Sequence, residues 1–545
     1  MKFFIPEWDD HVNKNYDFIN DNRLDGDGKD YRYIWHFFGW DKVPIDGILV
    51  SRAQLEKSPK KLESVRRLGF YEYLDVPPQI ETICDCGAFD YIDEPEPRYN
   101  PKDTMDFYKD IGTTVGVTID HIITKQNQKD AKQRYEITLE NAKKMYDLWD
   151  GKDTYYHSLR LMGAIQGWDN RSYSQAAQDL IDYGFRYIGI GGVARAQTDF
   201  IEDVVLEIGK VVKKFQKDKR EKVDIHIFGF AKAELFDTIA KAGITSFDSA
   251  STLRKAWLSH RDNYFRTYKK RYSAIRVRYA KDDNKIQKNL EQEVLQKIRA
   301  YDQGTLDLDD VFDKLRTYEE LTGEVAFFDK YVETLRDRPW MKCNCPICND
   351  LKVEICIFRG NNRNRRRGFH NTYIFYNHFR KNVPKTLIFT TCSLGKDKNQ
   401  YPIPAYCRYM KSNNFKIWWK NVHDLPVVEL GILSAKYGLI PWWQKITDYD
   451  HEMKEEDIEK IVEDLSKKLV KYDKIFFHGL GLYREVVERT KDKTGLDIEI
   501  YPKVGLTNRG KIDIIELVKQ TRNLREGVLE YLNNNIKQFE LTHFI

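Results

Sequence analysis

The chain has 545 residues, 41% of them hydrophobic and 32% charged, and a formal net charge of +5. At about 150 residues per domain it is too long for one ordinary core. No apolar run approaches the roughly 18 residues of a membrane span, and a charge this mild does not by itself announce a nucleic-acid binder.

The opening MKFFIPEWDDHVNKNYDF has acidic and aromatic residues where a signal peptide would carry an uninterrupted apolar segment. A cytoplasmic, reducing location is expected, and no membrane partner. Eight cysteines in such a chain point to thiols or metal ligands rather than a disulfide scaffold.

From residue 46 to 250 short β-branched runs alternate with longer amphipathic stretches. The runs are DGILVS (46–51), IETICD (80–85), VGVTID (115–120), LMGAIQG (161–167), YIGIGG (187–192), VDIHIFG (223–229) and ITSFDS (244–249). With FFIP near the start they number about eight, as a (β/α)8 TIM barrel requires. Between them FIEDVVLEIGKVVKKF carries Ile201, Val204, Val205, Ile208, Val211, Val212 and Phe215 at three- and four-residue steps, a helix packing one stripe on the barrel. The competing open doubly wound sheet lacks its G-x-G-x-x-G turn in the first βα unit.

Charged helices follow over 252–340, leading to CNCPIC. A second alternating series (TLIFTT, VVELGILS, KIFFHGL, IEIYPKV) reads as a smaller Rossmann-like α/β domain. The expected organisation is an α/β barrel over 1–260, a helical and zinc-binding appendage over 261–378, the small domain over 386–525 and a tail over 526–545.

In α/β barrels the reactive groups collect at the carboxyl ends of the strands. Those ends carry Asp85, Asp120, Gln166, the Gly191-Gly192 pair and Asp248. An aspartate there is often only the N-cap of the next helix. Three strands ending in Asp favour chemistry, because two carboxyls in different environments can serve as nucleophile and as acid/base. The glycines make either a tight turn or a close backbone approach to a flat ligand.

Cys343, Cys345 and Cys348 followed by His370 supply three thiolates and an imidazole, a tetrahedral zinc set that is closed and therefore structural. His378 is a second candidate ligand, and Cys356 is read as packing. Between cysteines and histidine lies GNNRNRRRG. Its Arg363, Arg365, Arg366 and Arg367, like the run FRTYKKRYSAIRVRYAK over 265–281, form either a solvated face or a phosphate-holding surface.

The segments DCGAF, AIQG, IGIGG, SFDSASTLRKAW and C-x-C-x-x-C…HN, in this order along the chain up to about residue 378, resemble the tRNA-guanine transglycosylase superfamily. MKFFIPEWDD, DGILVSR, CDCGAFDYI, TIDHII and YSAIRV resemble more closely its DpdA branch, which places 7-deazaguanine bases in DNA. The resemblance implies that Asp248 is the nucleophile and Asp85 the general acid/base. It implies that Phe89 stacks on the base, that Asp120, Gln166, Gly191 and Gly192 bind its edge, and that His370, paired with Asn371, is the fourth zinc ligand.

The expected activity is exchange of guanine in DNA for a free 7-deazaguanine through a covalent glycosyl-enzyme, with tRNA as the alternative polymer. A catalytically silent zinc-bearing nucleic-acid binder is the reading from another class. Asp90 stands where tRNA enzymes carry Gln, and Gln197 near the Glu that favours a cationic aminomethyl arm, so a neutral cyano substituent (preQ0) is expected. Ser393, Lys436, Tyr437 and Asp450 of the small domain are either a ligand pocket or loop caps. The sequence leaves the oligomeric state open, a homodimer included.

Overall fold

Eight apolar runs become strands: β1 Lys2–Pro6, β2 Gly47–Ser51, β3 Glu81–Asp85, β4 Val115–Val117, β5 Arg160–Ile165, β6 Tyr187–Ile190, β7 Asp224–Ile227 and β8 Ser246–Asp248. In the computed structural model, which describes residues 1–24, 30–39, 42–151, 154–281, 284–323, 325–502 and 514–536, they close into a barrel. Every strand is parallel to its neighbours, β1 closing the ring between β2 and β8. Phe4, Leu49, Ile83, Val115, Val117, Met162, Ala164 and Tyr187 fill the interior, so the barrel is a packed core with its polar groups pushed to the mouth. The register sets Ser51 opposite Asp85 and Phe4 opposite Asp248.

The helix Thr198–Lys219 buries Ile201, Val204, Val205, Ile208, Val212 and Phe215 as its periodicity requires, with Val211 off the buried stripe. Burying a stripe of branched side chains contributes about 1.5–3 kcal/mol for each fully covered residue.

The described residues fall into two compact units. One holds Met1–Glu7, Asp46–Ser249 and the chain from Arg380 onward; the other holds Trp8–Ile45 and Ala250–Phe379. The expected boundaries are corrected in four places, the first being that the barrel segment ends at Ser249 rather than at residue 260. Residues 8–45 leave the barrel after β1 and belong with the appendage, where Arg254 lies over the Trp8 ring (4.2 Å) and pairs with Asp10 (3.2 Å).

The small α/β domain shares a unit with the barrel. Trp419 Nε1 donates to Arg220 O (2.7 Å) and His423 Nε2 lies 2.9 Å from Gln216 O. Asp46 takes both Arg380 and Lys385 (2.6 Å to the latter), cations that hold its buried carboxyl well below the usual carboxylate range against the cost of burial. Finally, the expected tail boundary at 526 falls inside the helix Ile514–Ile536.

In the small domain all four expected runs form strands: β9 Thr386–Thr391, β10 Val428–Ser434, β12 Lys474–His478 and β13 Ile498–Tyr501. A short edge strand, β11 Gly438–Pro441, was not expected; it returns antiparallel to β10 through Gly438 at φ +67°. The order is β11-β10-β9-β12-β13. Leu387, Phe389, Leu433, Ile461, Leu465 and Phe477 are central to its core. The segment VGLTNRGK lies outside the described residues.

The second unit contains the helices Lys285–Asp302, Leu308–Thr322 and Phe328–Asp337, and the helix Gly360–Asn382 begins in it.

Candidate active site and metal centre

Asp248, the last residue of β8, is 5% exposed. Its Oδ1 accepts a hydrogen bond from the Gly229 backbone N–H (2.9 Å) and lies 3.2 Å from His226 Nε2. Among the described residues no hydrogen bond reaches Oδ2. One oxygen is therefore fixed and the other is free to react.

Asp85 ends β3 and accepts from the Gly87 N–H (3.0 Å). Removal from bulk water, then the negative charges of Asp120 and Asp248, push its carboxyl up to about 7, opposed by the Gly87 N–H and the nearby Ser51 hydroxyl. It can hold a proton near neutral pH, which an acid/base needs.

Asp120 Oδ2 accepts from Gln166 Nε2 (2.6 Å) and its Oδ1 from the Cys86 thiol (3.7 Å). Burial pushes its carboxyl up to about 6 despite those two donors. Gln166 is buried, and the glycine pair is built around its amide. A Cβ on Gly191 would lie 2.2 Å from Gln166 Nε2, and one on Gly192, at φ +75°, would lie 2.6 Å from Gln166 Oε1. Neither position accepts a side chain without displacing the amide. Capping does not account for these aspartates: the segments that follow start at Gly87, Thr124 and Ala250.

Phe89 projects from the short 3-10 turn Ala88–Tyr91 and is 56% exposed, with no ring contact among the described residues. An aromatic face left open on the turn that follows Asp85 can serve as a stacking surface for a flat base. Asp90 is tied to Lys57 (2.8 Å) and Gln54 (3.3 Å), and Gln197 is the N-cap of Thr198–Lys219 without a side-chain cap bond.

Four neighbours of the site were missed from the sequence. Ser51 stands opposite Asp85 in the strand register, Cys86 bonds Asp120, His226 contacts Asp248, and the Phe228 ring stands edge-on to His226 (4.5 Å). The signal for the last pair was the histidine in the middle of the strand run VDIHIFG.

In the second unit Cys343, Cys345, Cys348 and His370 converge, all buried, with their ligand atoms within 4.8 Å of one another. The three sulfurs lie 3.7, 3.4 and 3.3 Å from His370 Nδ1. A tetrahedral zinc with ordinary Zn–S and Zn–N bonds places S and N about 3.6 Å apart. His370 Nε2 is 2.7 Å from Phe265 O, a contact that puts the hydrogen on Nε2 and frees Nδ1 for a metal. Asn371 closes the same knot: its Oδ1 accepts from Phe265 N–H and its amide donates to Asn263 O. The residues thus fit zinc. His378 stacks on Tyr268 outside this set, and Cys356 is buried as packing.

The arginine run is not the polymer-facing loop that its composition suggested. It is the first half of the helix Gly360–Asn382. Residues 363, 367 and 370 share one helical face, so the face that buries His370 also buries Arg363 and Arg367. Both are 0% exposed.

Arg363 bonds Asp21, Phe18 O and Glu354 (2.6 Å to the last), and Arg367 donates to Ala256 O, Asn364 Oδ1, Ile355 O and Ile357 O. Arg366 is buried against Asn13 O (2.8 Å), and Arg365, partly exposed, bonds His11 O (2.7 Å). Arg363 and Arg367, desolvated and each bonded to several oxygens, are structural cations, not phosphate hooks.

The family model for queuine tRNA-ribosyltransferase matches residues 89–303, a span that runs from Phe89 through Asp120, Gln166 and the glycine pair to Asp248. Among characterised proteins, the DNA-guanine transglycosylase of Salmonella montevideo is 28% identical over 414 residues, which are 69% of this chain and 96% of that relative.

Proposed function

We propose, from the premise that this chain carries a domain of the tRNA-guanine transglycosylase superfamily, that it exchanges guanine in DNA for a 7-deazaguanine. The observation that carries the reading is the contrast between the two carboxyls: Asp248 has one oxygen tethered and one free, while Asp85 is pushed up to about 7. In the first half-reaction Asp248 Oδ2 attacks the anomeric carbon of a target nucleoside, the bond to guanine breaks, and Asp85 gives its proton to the leaving base. In the second, Asp85 takes the ring proton of the incoming base, whose nitrogen attacks the same carbon and expels the Asp248 ester. Proton and charge balance over the cycle, and two successive displacements at the same carbon retain configuration.

Asp120 and Gln166 would accept and donate along the edge of the base, and Phe89 would stack on it. Zinc, held by Cys343, Cys345, Cys348 and His370, would stabilise the fold. With all four ligand positions filled by protein it has no open place for substrate. Gln197 in place of a carboxylate supports a neutral 7-cyano base over a cationic aminomethyl one. A DNA substrate agrees with a cytoplasmic location, and no described helix is long and apolar enough to cross a membrane.

Exchange on tRNA is the second reading, supported by the family model's name. Incubation with labelled 7-cyano- or 7-aminomethyl-7-deazaguanine and equal amounts of duplex DNA and tRNA decides both points. Label is expected in DNA, from the cyano base. Label confined to tRNA would overturn the polymer assignment, and preference for the aminomethyl base would overturn the assignment of the incoming base. The Asp248→Asn variant is expected to form no denaturation-resistant adduct with nucleic acid.

A further inference from the structure

The barrel interior holds a line of polar groups that the exchange reaction as written does not use. Tyr187 OH is 2.8 Å from Ser246 Oγ, Ser246 Oγ is 2.9 Å from His226 Nδ1, and His226 Nε2 is 3.2 Å from Asp248 Oδ1. All four residues are buried, His226 completely. At the far end the Arg160 guanidinium lies over the Tyr187 ring (4.2 Å) and pairs with Asp224 (2.6 Å). One link joins the neighbouring strands β7 and β8 and the other reaches from β6 to β8 across β7, so the line spans three consecutive barrel strands and is as rigid as the barrel.

Its direction follows from its ends. The carboxylate of Asp248 only accepts, so the facing Nε2 carries the hydrogen. Burial raises the Tyr187 hydroxyl above its ordinary value, so it keeps its hydrogen and donates. Ser246 then accepts from Tyr187 and donates to His226 Nδ1, and every buried group in the line is satisfied once.

We infer that His226 is a positioning residue: the relay Tyr187→Ser246→His226→Asp248 locks the imidazole with its hydrogen on Nε2 and pins Asp248 Oδ1. The free Oδ2 is thereby aimed at the anomeric carbon. Two donors converge on Oδ1, Gly229 N–H from the backbone and His226 from the side, which leaves the carboxylate no rotation about its last bond. This inference rests on the assignment of Asp248 as nucleophile.

A Gln side chain can place an N–H where Nε2 stands, whereas Phe keeps the ring and loses the donor. Steady-state exchange of labelled guanine into guanine-containing duplex DNA is therefore compared for the full-length wild type, His226→Gln and His226→Phe. Expected for Phe is a fall in kcat of about tenfold or more with KM changed by less than about threefold, the signature of a misaimed group. Gln is expected to recover most of that loss. The opposite order, Phe active and Gln impaired, would mean that the ring serves packing alone and would overturn the inference.

A second measurement does not depend on activity or on folding of those variants. Nitrogen-15 spectra of the histidine-labelled wild type, with the His226 signals assigned by their shifts in Asp248→Asn and Ser246→Ala, report the tautomer at neutral pH. A protonated Nε2 and bare Nδ1 are expected; a protonated Nδ1 beside a bare Nε2 sinks the relay. If the wild type exchanges no guanine in either DNA or tRNA, the transglycosylase reading fails by itself, and the tautomer still decides whether the relay exists.

Discussion

Asp85 shows what burial does to one residue. Its carboxyl, pushed from 3.8 to about 7 by desolvation and by Asp120 and Asp248, is protonated in the folded protein and ionised in the unfolded chain throughout that interval. A raised carboxyl value means that the unfolded state binds fewer protons, so folding stability falls as pH rises from about 4 to about 7, and the cost is complete above that. Asp85→Asn removes the titration, and its melting temperature relative to wild type is expected to rise between about pH 5 and about pH 8. A pH-independent difference would refute the shift.

Gly191 makes a second test at this scale. An alanine Cβ would stand 2.2 Å from Gln166 Nε2, so Gly191→Ala is expected to push the amide off Asp120 and raise the KM for the incoming base by about tenfold, since an unpaired buried carboxyl costs about 1–3 kcal/mol. Titrating the free base in the exchange assay measures it. Both residues were legible in the sequence as strand-end features. Their environments were not, because Gln166 and Asp120 are 46 positions apart and only barrel closure joins them.

At the scale of elements, the helix Gly360–Asn382 carries the largest correction. The bases of its arginine run were visible, but the helical phase that aligns Arg363 and Arg367 with His370 was not used, and composition alone suggested a surface. Arg367→Met leaves four oxygens without their cation, and a loss of about 3–5 kcal/mol is expected by denaturant melting. The salt slope of DNA binding by the folded fraction should not change, because a buried cation releases no counterions. A flatter slope would return the run to the interface.

A zinc held by Cys343, Cys345, Cys348 and His370 would act on the same element. The ligands tie the segment around Cys345 to the middle of the helix, so removing metal with a chelator is expected to lower the melting temperature markedly while leaving exchange chemistry in the surviving folded protein. Elemental analysis with parallel melting curves tests it. The cysteine spacing pointed to three of these residues and the resemblance to His370; the four converge in the structure, and the imidazole orientation comes from Phe265 O, a backbone atom that no side-chain pattern announces.

For the whole molecule, the sequence suggested that the small α/β domain over 386–525 is a separate module. The structure argues otherwise. Asp46 would lose Arg380 and Lys385 and remain buried without either cation. Truncation after Phe379 is therefore expected to cost at least about 3–5 kcal/mol and to yield aggregated or molten protein; a soluble, cooperatively melting fragment would show the domain to be accessory.

The amino-acid sequence by itself determined the eight barrel strands, the four parallel strands of the small domain, the carboxyls at the barrel mouth and the metal set. These are encoded locally, in the two-residue period of strands, the polar residue that ends each one and the spacing of soft ligands. Tertiary structure alone decided which charges are buried, which carboxyl holds a proton, that residues 8–45 leave the barrel, and that His226 stands behind Asp248. Each of these depends on groups far apart in the chain meeting in a low-dielectric interior, where pairing and desolvation set their energies and no local pattern records them.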